Sequence, residues 1–255
     1  MTQTLNTEAL NDLLFRVADD DLIIGHRNSE WTALGPILEE DIAFSSMAQD
    51  CVGHAQAYYH LIHDLGGADP DRLAFHRIEK DFRSCHLVEQ PIGDYAFSLI
   101  RHLLYDVAKE VRLESLRKSS HEPLAQLSER VWREHKYARM HARTWVLQLG
   151  QATDESRLRM QSGLNEAYPM AFGLFETTDF SDVITKDGIQ VSEADLQAQW
   201  HERISETIEQ AGLKLPSEFD SAQHMGGRKG YHSAHLAPLL AEMTEVYALD
   251  PEASW

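Results

Sequence analysis

The amino-acid sequence predicts an all-α protein built on an antiparallel four-helix bundle. Glycine and proline are sparse, with 14 and 8 residues in a chain of 255, so few positions interrupt a helix. Apolar residues recur at spacings of three and four along four long segments, the period of amphipathic helices. Strand-like alternation of apolar and polar residues nowhere exceeds about five residues. Four helices of about 20 to 27 residues with several short connections are typical of such a bundle.

The first two predicted helices form a pair. The first covers about residues 7–25, and Asp21 falls on its apolar face. The second covers about residues 38–65, with His54 on its apolar face. It is expected to end at Gly66-Gly67, because glycine is favoured just beyond a helix C-terminus.

The third and fourth helices complete the bundle. The third covers about residues 94–119 and has a wide apolar face, with Asp106 inside it. Such a face exceeds what one bundle core requires and predicts a surface that a partner chain covers. The fourth covers about residues 124–149 and places Glu134 on its apolar face.

Three more helices follow the bundle. The first is expected over about residues 155–175, with an interruption at Pro169. The second runs from Ser192 to about residue 212, and the third covers about residues 233–249 unless Pro238 delays its start. Residues 68–92 are expected to hold one or two short helices. The whole chain, 1–255, is predicted to be a single domain, with the core bundle at about residues 7–150 and the C-terminal helices at about 155–250.

Composition and charge exclude several classes of protein. With 41 acidic and 23 basic residues the net charge is -18, which disfavours direct contact with nucleic acid. No segment has the roughly 18 apolar residues of a membrane helix, and the N-terminus lacks the pattern of a signal peptide. Two cysteines, Cys51 and Cys85, are too few for a disulfide framework, so we expect a cytoplasmic protein.

Polar side chains on the apolar faces suggest a di-iron carboxylate site. Such sites use one Glu from each of two helices and a Glu-x-x-His pair from each of the other two. The second helix instead offers Cys51 three residues before His54, and the fourth offers Glu134 three residues before Tyr137. Two ligands are therefore missing, which favours a site that holds no metal.

We therefore expect these positions to form a buried hydrogen-bonded or salt-bridged network instead. Its members are Asp21, Cys51, His54, Asp106, Glu134 and Tyr137. Lys109 follows Asp106 by three residues, and its charge would compete with a metal if it pointed inward. The sequence leaves the orientation of Lys109 open, and an intact metal site remains the alternative.

A glycine-rich basic loop precedes the last helix. Arg228 and Lys229 lie within Gly226–Gly230, where their side chains and the backbone N–H groups could hold a phosphate. The alternatives are a flexible connector or a basic latch onto a partner subunit.

Several motifs resemble those of a known family. They are Asp21–Trp31, Leu38–Ala43, Gly53–Ala55, Leu87–Pro91, Glu134–Tyr137, Gly226–His232 and His235–Met243. Over about residues 10–250 the chain resembles the PaaC-type subunits of bacterial phenylacetyl-CoA epoxidases. The resemblance implies a ferritin-like helical subunit of a multicomponent oxygenase that acts in aerobic phenylacetate degradation.

The resemblance also implies the role of each component in such a complex. A related catalytic subunit holds the di-iron centre, a reductase supplies electrons from NADPH, and the ring of phenylacetyl-CoA is epoxidised with O₂. The catalytic pattern places its two Glu-x-x-His positions on Cys51/His54 and Glu134/Tyr137, and its lone carboxylates on Asp21 and Asp106. A CoA-phosphate or partner contact is expected at Arg228, Lys229 and His232.

We therefore expect a non-catalytic partner subunit that pairs with the di-iron subunit and the other epoxidase components. As an isolated chain it is expected to be no enzyme and to hold no metal or cofactor. One alternative is a ferritin-like di-metal oxygenase that is itself catalytic. The other is a regulatory module that binds acyl-CoA.

Overall fold

The computed structural model describes residues 6–250, which form eleven α-helices and several short 3₁₀ turns, with no β-strand in that range. The all-α prediction is confirmed, whereas the single-domain organisation remains a prediction. None of the described helices is long and apolar enough to span a lipid bilayer. The helices are α1 Thr7–Ser29, α2 Leu38–Asp64, α3 Pro70–Phe75, α4 His86–Glu89, α5 Tyr95–Leu116, α6 Glu122–Glu134, α7 Lys136–Ala152, α8 Asp154–Ala171, α9 Ser181–Lys186, α10 Glu193–Gln210 and α11 Leu236–Met243.

Helices α1, α2, α5 and the α6–α7 pair form the bundle. In each neighbouring pair, the early part of one helix contacts the late part of the other, so the neighbours run antiparallel. The contacts that establish this order are Asp19 with Tyr59, Gly25 with Cys51, Asp21 with Tyr105, Asn28 with His102, Glu40 with His141, and His54 with Glu134.

Helix α1 lies at the centre of the fold and is buried along most of its length. It begins at the Asn6 cap, whose side chain accepts a hydrogen bond from the Ala9 N–H at 3.0 Å. It continues through Gly25 to Ser29, so the predicted end at Gly25 is wrong. A Cβ at Gly25 would lie 3.1 Å from the Cβ of Cys51, so this glycine permits close packing of α1 and α2.

The wide apolar face of α5 is covered by helices of the same chain. Helices α7, α8 and α10 all pack on α5, and its residues from Ala96 to Val111 are buried. Helix α8 can approach α5 closely because Gly163 has no side chain. A Cβ at this position would lie 3.0 Å from the Cα of Phe97. The inference that a partner chain covers α5 is therefore wrong, because the C-terminal helices bury this face.

The predicted fourth helix is divided at His135 into α6 and α7. The buried positions around the division include Val131, His135 and Ala142, which follow a helical period. The His135 side chain is buried, and its Nε2 donates to the backbone oxygen of Asp106 at 2.9 Å. His135 thus lies on the same inward side of the helix as Val131 and Ala142.

The C-terminal helices differ from the prediction at two prolines and at the end of the last helix, which is at Met243 instead of about residue 249. Pro169 lies within the last turn of α8 and does not interrupt it. Helix α10 begins after its Ser192 cap, as predicted. Helix α11 begins at Leu236 with Pro238 in its first turn, three residues later than expected, and proline is tolerated there because first-turn N–H groups lack helical partners.

Candidate functional site

The centre of the bundle contains an inward-facing lysine, Lys109 of α5. Its side chain is 7% exposed, and its Nζ binds the Oδ1 of Asp21, which is 1% exposed, on α1. The Tyr105 hydroxyl donates to the same carboxylate oxygen at 2.7 Å. Burial alone would lower the pKa of Lys109, but the Asp21 carboxylate outweighs it and holds that pKa above its ordinary value. Lys109 is therefore a buried ammonium ion, which answers the question that the sequence left open.

His54 of α2 extends this contact to the surface. Its Nδ1 lies 3.0 Å from Lys109 Nζ, and its Nε2 lies 3.0 Å from Glu134 Oε2. An ammonium group only donates hydrogen bonds, so Nδ1 accepts and the Nε2–H donates to Glu134. Burial, together with the charge on Lys109, lowers the pKa of His54 to about 2, so the imidazole is neutral. The result is a hydrogen-bonded chain from Asp21 through Lys109 and His54 to Glu134.

Asp106 is buried but belongs to a neighbouring set of contacts. Its Oδ2 lies 3.3 Å from His102 Nδ1, and its Oδ1 lies 3.9 Å from His135 Nε2. Burial raises the pKa of Asp106, but the hydrogen bond from His102 outweighs this and the pKa lies below its ordinary value. His102 also meets Asn28 Oδ1 through its Nε2 at 2.7 Å.

Two of the predicted network members are not buried. The Glu134 side chain is 48% exposed and contacts the buried His54. Tyr137 is 46% exposed, and its ring packs beside His141 with centroids 6.0 Å apart. The prediction of a buried Tyr137 is wrong, because the inward side of α6 and α7 runs through Val131, His135 and Ala142, and Tyr137 lies on another side of the helix.

The sequence reasoning missed a further buried carboxylate, Glu40 of α2. It meets His141 Nε2 at 2.8 Å and accepts a hydrogen bond from Trp145 Nε1 at 2.8 Å. The Tyr95 hydroxyl also donates to it. Glu40 lies in the acidic run 39–41 at a helix start, a position that usually faces solvent. The signal for its burial was the apolar position four residues later, Phe44, which is fully buried.

These residues do not fit a di-iron centre. The Lys109 ammonium contacts both Asp21 of α1 and His54 of α2, two of the positions where the di-iron pattern has ligands. Cys51 is buried where the di-iron pattern has a carboxylate, and burial raises the pKa of its thiol. Within residues 6–250, no group of three or more His, Cys, Asp or Glu side chains is arranged to hold a metal ion.

Space beside the Lys109 ion pair is small. A cavity of ≈ 30 Å³ adjoins Asp21, Tyr105 and Lys109. This volume can hold ordered water, whereas a benzene ring occupies a cavity of about 150 Å³. The cavity beside the Lys109–Asp21 ion pair is therefore too small for an aromatic substrate.

The glycine-rich loop binds its own chain. Arg228 is 3% exposed and forms a two-point ion pair with Asp20, at 2.9 and 2.7 Å. The Gly226 and Arg228 N–H groups donate to Glu176 Oε2 at 2.8 and 3.4 Å, so a carboxylate of the same chain takes the place expected for a phosphate. The predicted anion contact at Arg228 is therefore wrong.

His232, the third residue of that prediction, also faces inward. Its Nδ1 lies 2.7 Å from Glu89 Oε1, and neither side chain is exposed. Its Nε2 lies 3.1 Å from the backbone oxygen of Phe82. The contact predicted for His232 is therefore wrong as well, and of the three residues only Lys229 is exposed.

Comparison with known proteins agrees with this architecture. The chain is similar to a subunit of the 1,2-phenylacetyl-CoA epoxidase of Escherichia coli (strain K12), with 32% identity over 241 residues that cover 94% of this chain and 96% of the relative. The family model described as phenylacetic acid catabolic protein matches residues 1–255. The resemblance inferred from the sequence motifs, including the ferritin-like fold that it implied, is confirmed. The chain belongs to the phenylacetic acid catabolic protein family.

Proposed function

We propose that this chain is a non-catalytic partner subunit of a phenylacetyl-CoA epoxidase in phenylacetate catabolism. The observation that carries the proposal is the position of the Lys109 ammonium between Asp21 and His54. A resident cation of the protein itself occupies the place where a bundle of this type would bind a metal. The O₂-dependent chemistry then belongs to a related di-iron subunit, which a reductase supplies with electrons in the cytoplasm.

The outer face of α2 supports a role in assembly. Apolar or uncharged exposed residues recur there at spacings of three and four, and they are Leu38, Ile42, Ser46, Gln49, Gly53 and Gln56. Ile42 is 61% exposed and Leu38 is 69% exposed. An uncharged helix face on a chain of net charge -18 suits contact with another subunit, because interface centres are depleted of charge.

Iron analysis tests this proposal. The chain and a catalytic subunit of the same complex are purified separately and together, loaded anaerobically with Fe(II), and analysed for iron per chain. We expect iron in the catalytic subunit and a stable complex with the iron-free chain. Two irons in the isolated chain would contradict the proposal and support the alternative of a catalytic di-metal subunit. A stable monomer that binds acyl-CoA without forming the complex would support the regulatory alternative.

A further inference from the structure

The turn between α6 and α7 carries a concentration of positive charge. Residues 135–153 include Lys136, Arg139 and Arg143 but no acidic residue, although the chain has 41 acidic residues against 23 basic ones. Arg133 precedes this stretch at the end of α6. Such local charge reversal on an acidic protein attracts an anion.

A cavity of ≈ 270 Å³ opens at this turn. It is lined by Glu110, Trp132, Arg133, His135, Lys136 and Arg139. It is distinct from the cavity beside Asp21 and Lys109. Its volume lies near the lower end of the range for small-molecule pockets, so it suits one ring system.

One of the positively charged residues that line this cavity, Lys136, is available to bind an anion. Glu110 is neutralised from two sides, by Arg139 and by Arg203 at 3.0 Å. Arg133, which is 72% exposed, pairs with Glu129, which is 32% exposed, at 2.8 Å. Lys136 is exposed, and within residues 6–250 the structure gives it no carboxylate partner.

The Trp132 indole supplies a second kind of contact. The Arg117 guanidinium lies over the ring at 4.0 Å from its centroid, while the ring also lines the cavity. A planar aromatic surface beside arginine and lysine is the combination that binds a base and its phosphates in single-stranded nucleic acids and nucleotides.

We propose that this cavity binds a nucleoside phosphate, with the base on Trp132 and the phosphates on Lys136 and Arg133. Two kinds of molecule carry a nucleoside phosphate of this kind: a free nucleotide, and coenzyme A in its nucleotide head. The site is independent of the proposed function, because it uses residues of this chain alone.

The test is calorimetric titration of the full chain with ADP, coenzyme A and pyrophosphate. Lys136→Glu should weaken the binding of ADP or coenzyme A by at least about tenfold, because the phosphates then meet a carboxylate. The matched control is Arg143→Glu, which makes the same charge change on the same helix. Arg143 donates to the side chain of Gln210 at 2.7 Å and does not line the cavity, so its variant should change the affinity by less than about twofold. Thermal unfolding of both variants checks that they remain folded.

Tighter binding of ADP would support a free nucleotide as the ligand, and tighter binding of coenzyme A would support its head group. Equal affinity for pyrophosphate and ADP would overturn base recognition by Trp132. No binding at millimolar concentrations, or equal losses in the two variants, would overturn the site. None of these results bears on iron content or complex assembly, so failure here is distinguishable from failure of the proposed function.

Discussion

Lys109 and Asp21 form an ion pair inside the bundle, and their helices α5 and α1 face each other across it. The same ammonium lies 3.0 Å from His54 Nδ1, so three of the four bundle helices meet at one nitrogen atom. Carboxylate and imidazole are also the ligands that iron prefers. The positive charge of Lys109 thus joins helices of the kind that a metal joins in di-iron four-helix bundles.

Replacing Lys109 with methionine should strongly destabilise the chain. Lys109→Met leaves the buried Asp21 carboxylate without its counter-charge, and breaking a buried pair in this way costs about 3–5 kcal/mol. Urea-induced unfolding measures the loss. The double variant Lys109→Met with Asp21→Asn should recover much of it, because neither charge is then left alone. A single variant within about 1 kcal/mol of the native chain would show that the pair contributes little.

The buried His135 should make stability depend on pH. Burial lowers the pKa of His135 to about 4, against about 6.5 in an unfolded chain. Between these values the unfolded chain binds a proton that the folded chain does not, so stability falls as the pH decreases below about 6.5. From pH 7 to pH 5 this residue should contribute a loss of about 2 kcal/mol.

Comparison of urea unfolding at the two pH values in the native chain and in His135→Gln measures this contribution. The variant should lose less stability on acidification, whatever its stability at pH 7. The matched control is His201→Gln, at an exposed position on α10, which should leave the pH dependence unchanged. An unchanged pH dependence in His135→Gln would show that the neutral imidazole is not the source.

The bundle could be predicted from the sequence because each long helix has its own apolar period. The sequence was less informative about which polar side chains face inward. One case is His135, which shares the buried side of the helix with Val131 and Ala142, whereas the prediction placed Glu134 and Tyr137 there. The orientation of Lys109 was left open instead, because a long side chain near a helix face can point either to solvent or inward. Its direction depends on Asp21, a residue 88 positions away in sequence.

The three consecutive aspartates 19–21 show the same limit. On an amphipathic helix only Asp21 would face the core, yet all three are buried because α1 is enclosed on every side. Each has a different cation: Arg77 binds Asp19, Arg228 binds Asp20, and Lys109 binds Asp21. These partners come from distant segments, and nothing in a local pattern identifies them.

Neighbouring residues of the glycine-rich loop should respond differently to substitution. Arg228→Ala leaves Asp20 buried without its partner and should cost about 3–5 kcal/mol. Lys229→Ala, at an exposed position, should stay within about 0.5 kcal/mol of the native chain. Urea unfolding of the two variants measures the contrast. Equal effects would mean that Arg228 does not anchor the loop to α1.

The outer face of α2 provides a direct test of assembly. Ile42→Glu places a charge on this face, where the native side chain is 61% exposed. The folded chain should keep its stability within about 0.5 kcal/mol, because the position is already solvated. Association with the catalytic subunit should weaken by at least about tenfold, because binding would bury an unpaired carboxylate. Sedimentation of the mixed subunits over a concentration series measures the affinity.

The matched control for this test is Leu158→Glu on α8. Leu158 is also an exposed aliphatic side chain, at 70% exposure, and the substitution makes the same change of charge. If α2 forms the interface, Leu158→Glu should leave the affinity unchanged while Ile42→Glu lowers it. Equal losses would indicate a general effect of added negative charge on a chain already at -18. A loss confined to Leu158→Glu would move the interface to α8, where the C-terminal helices cover α5.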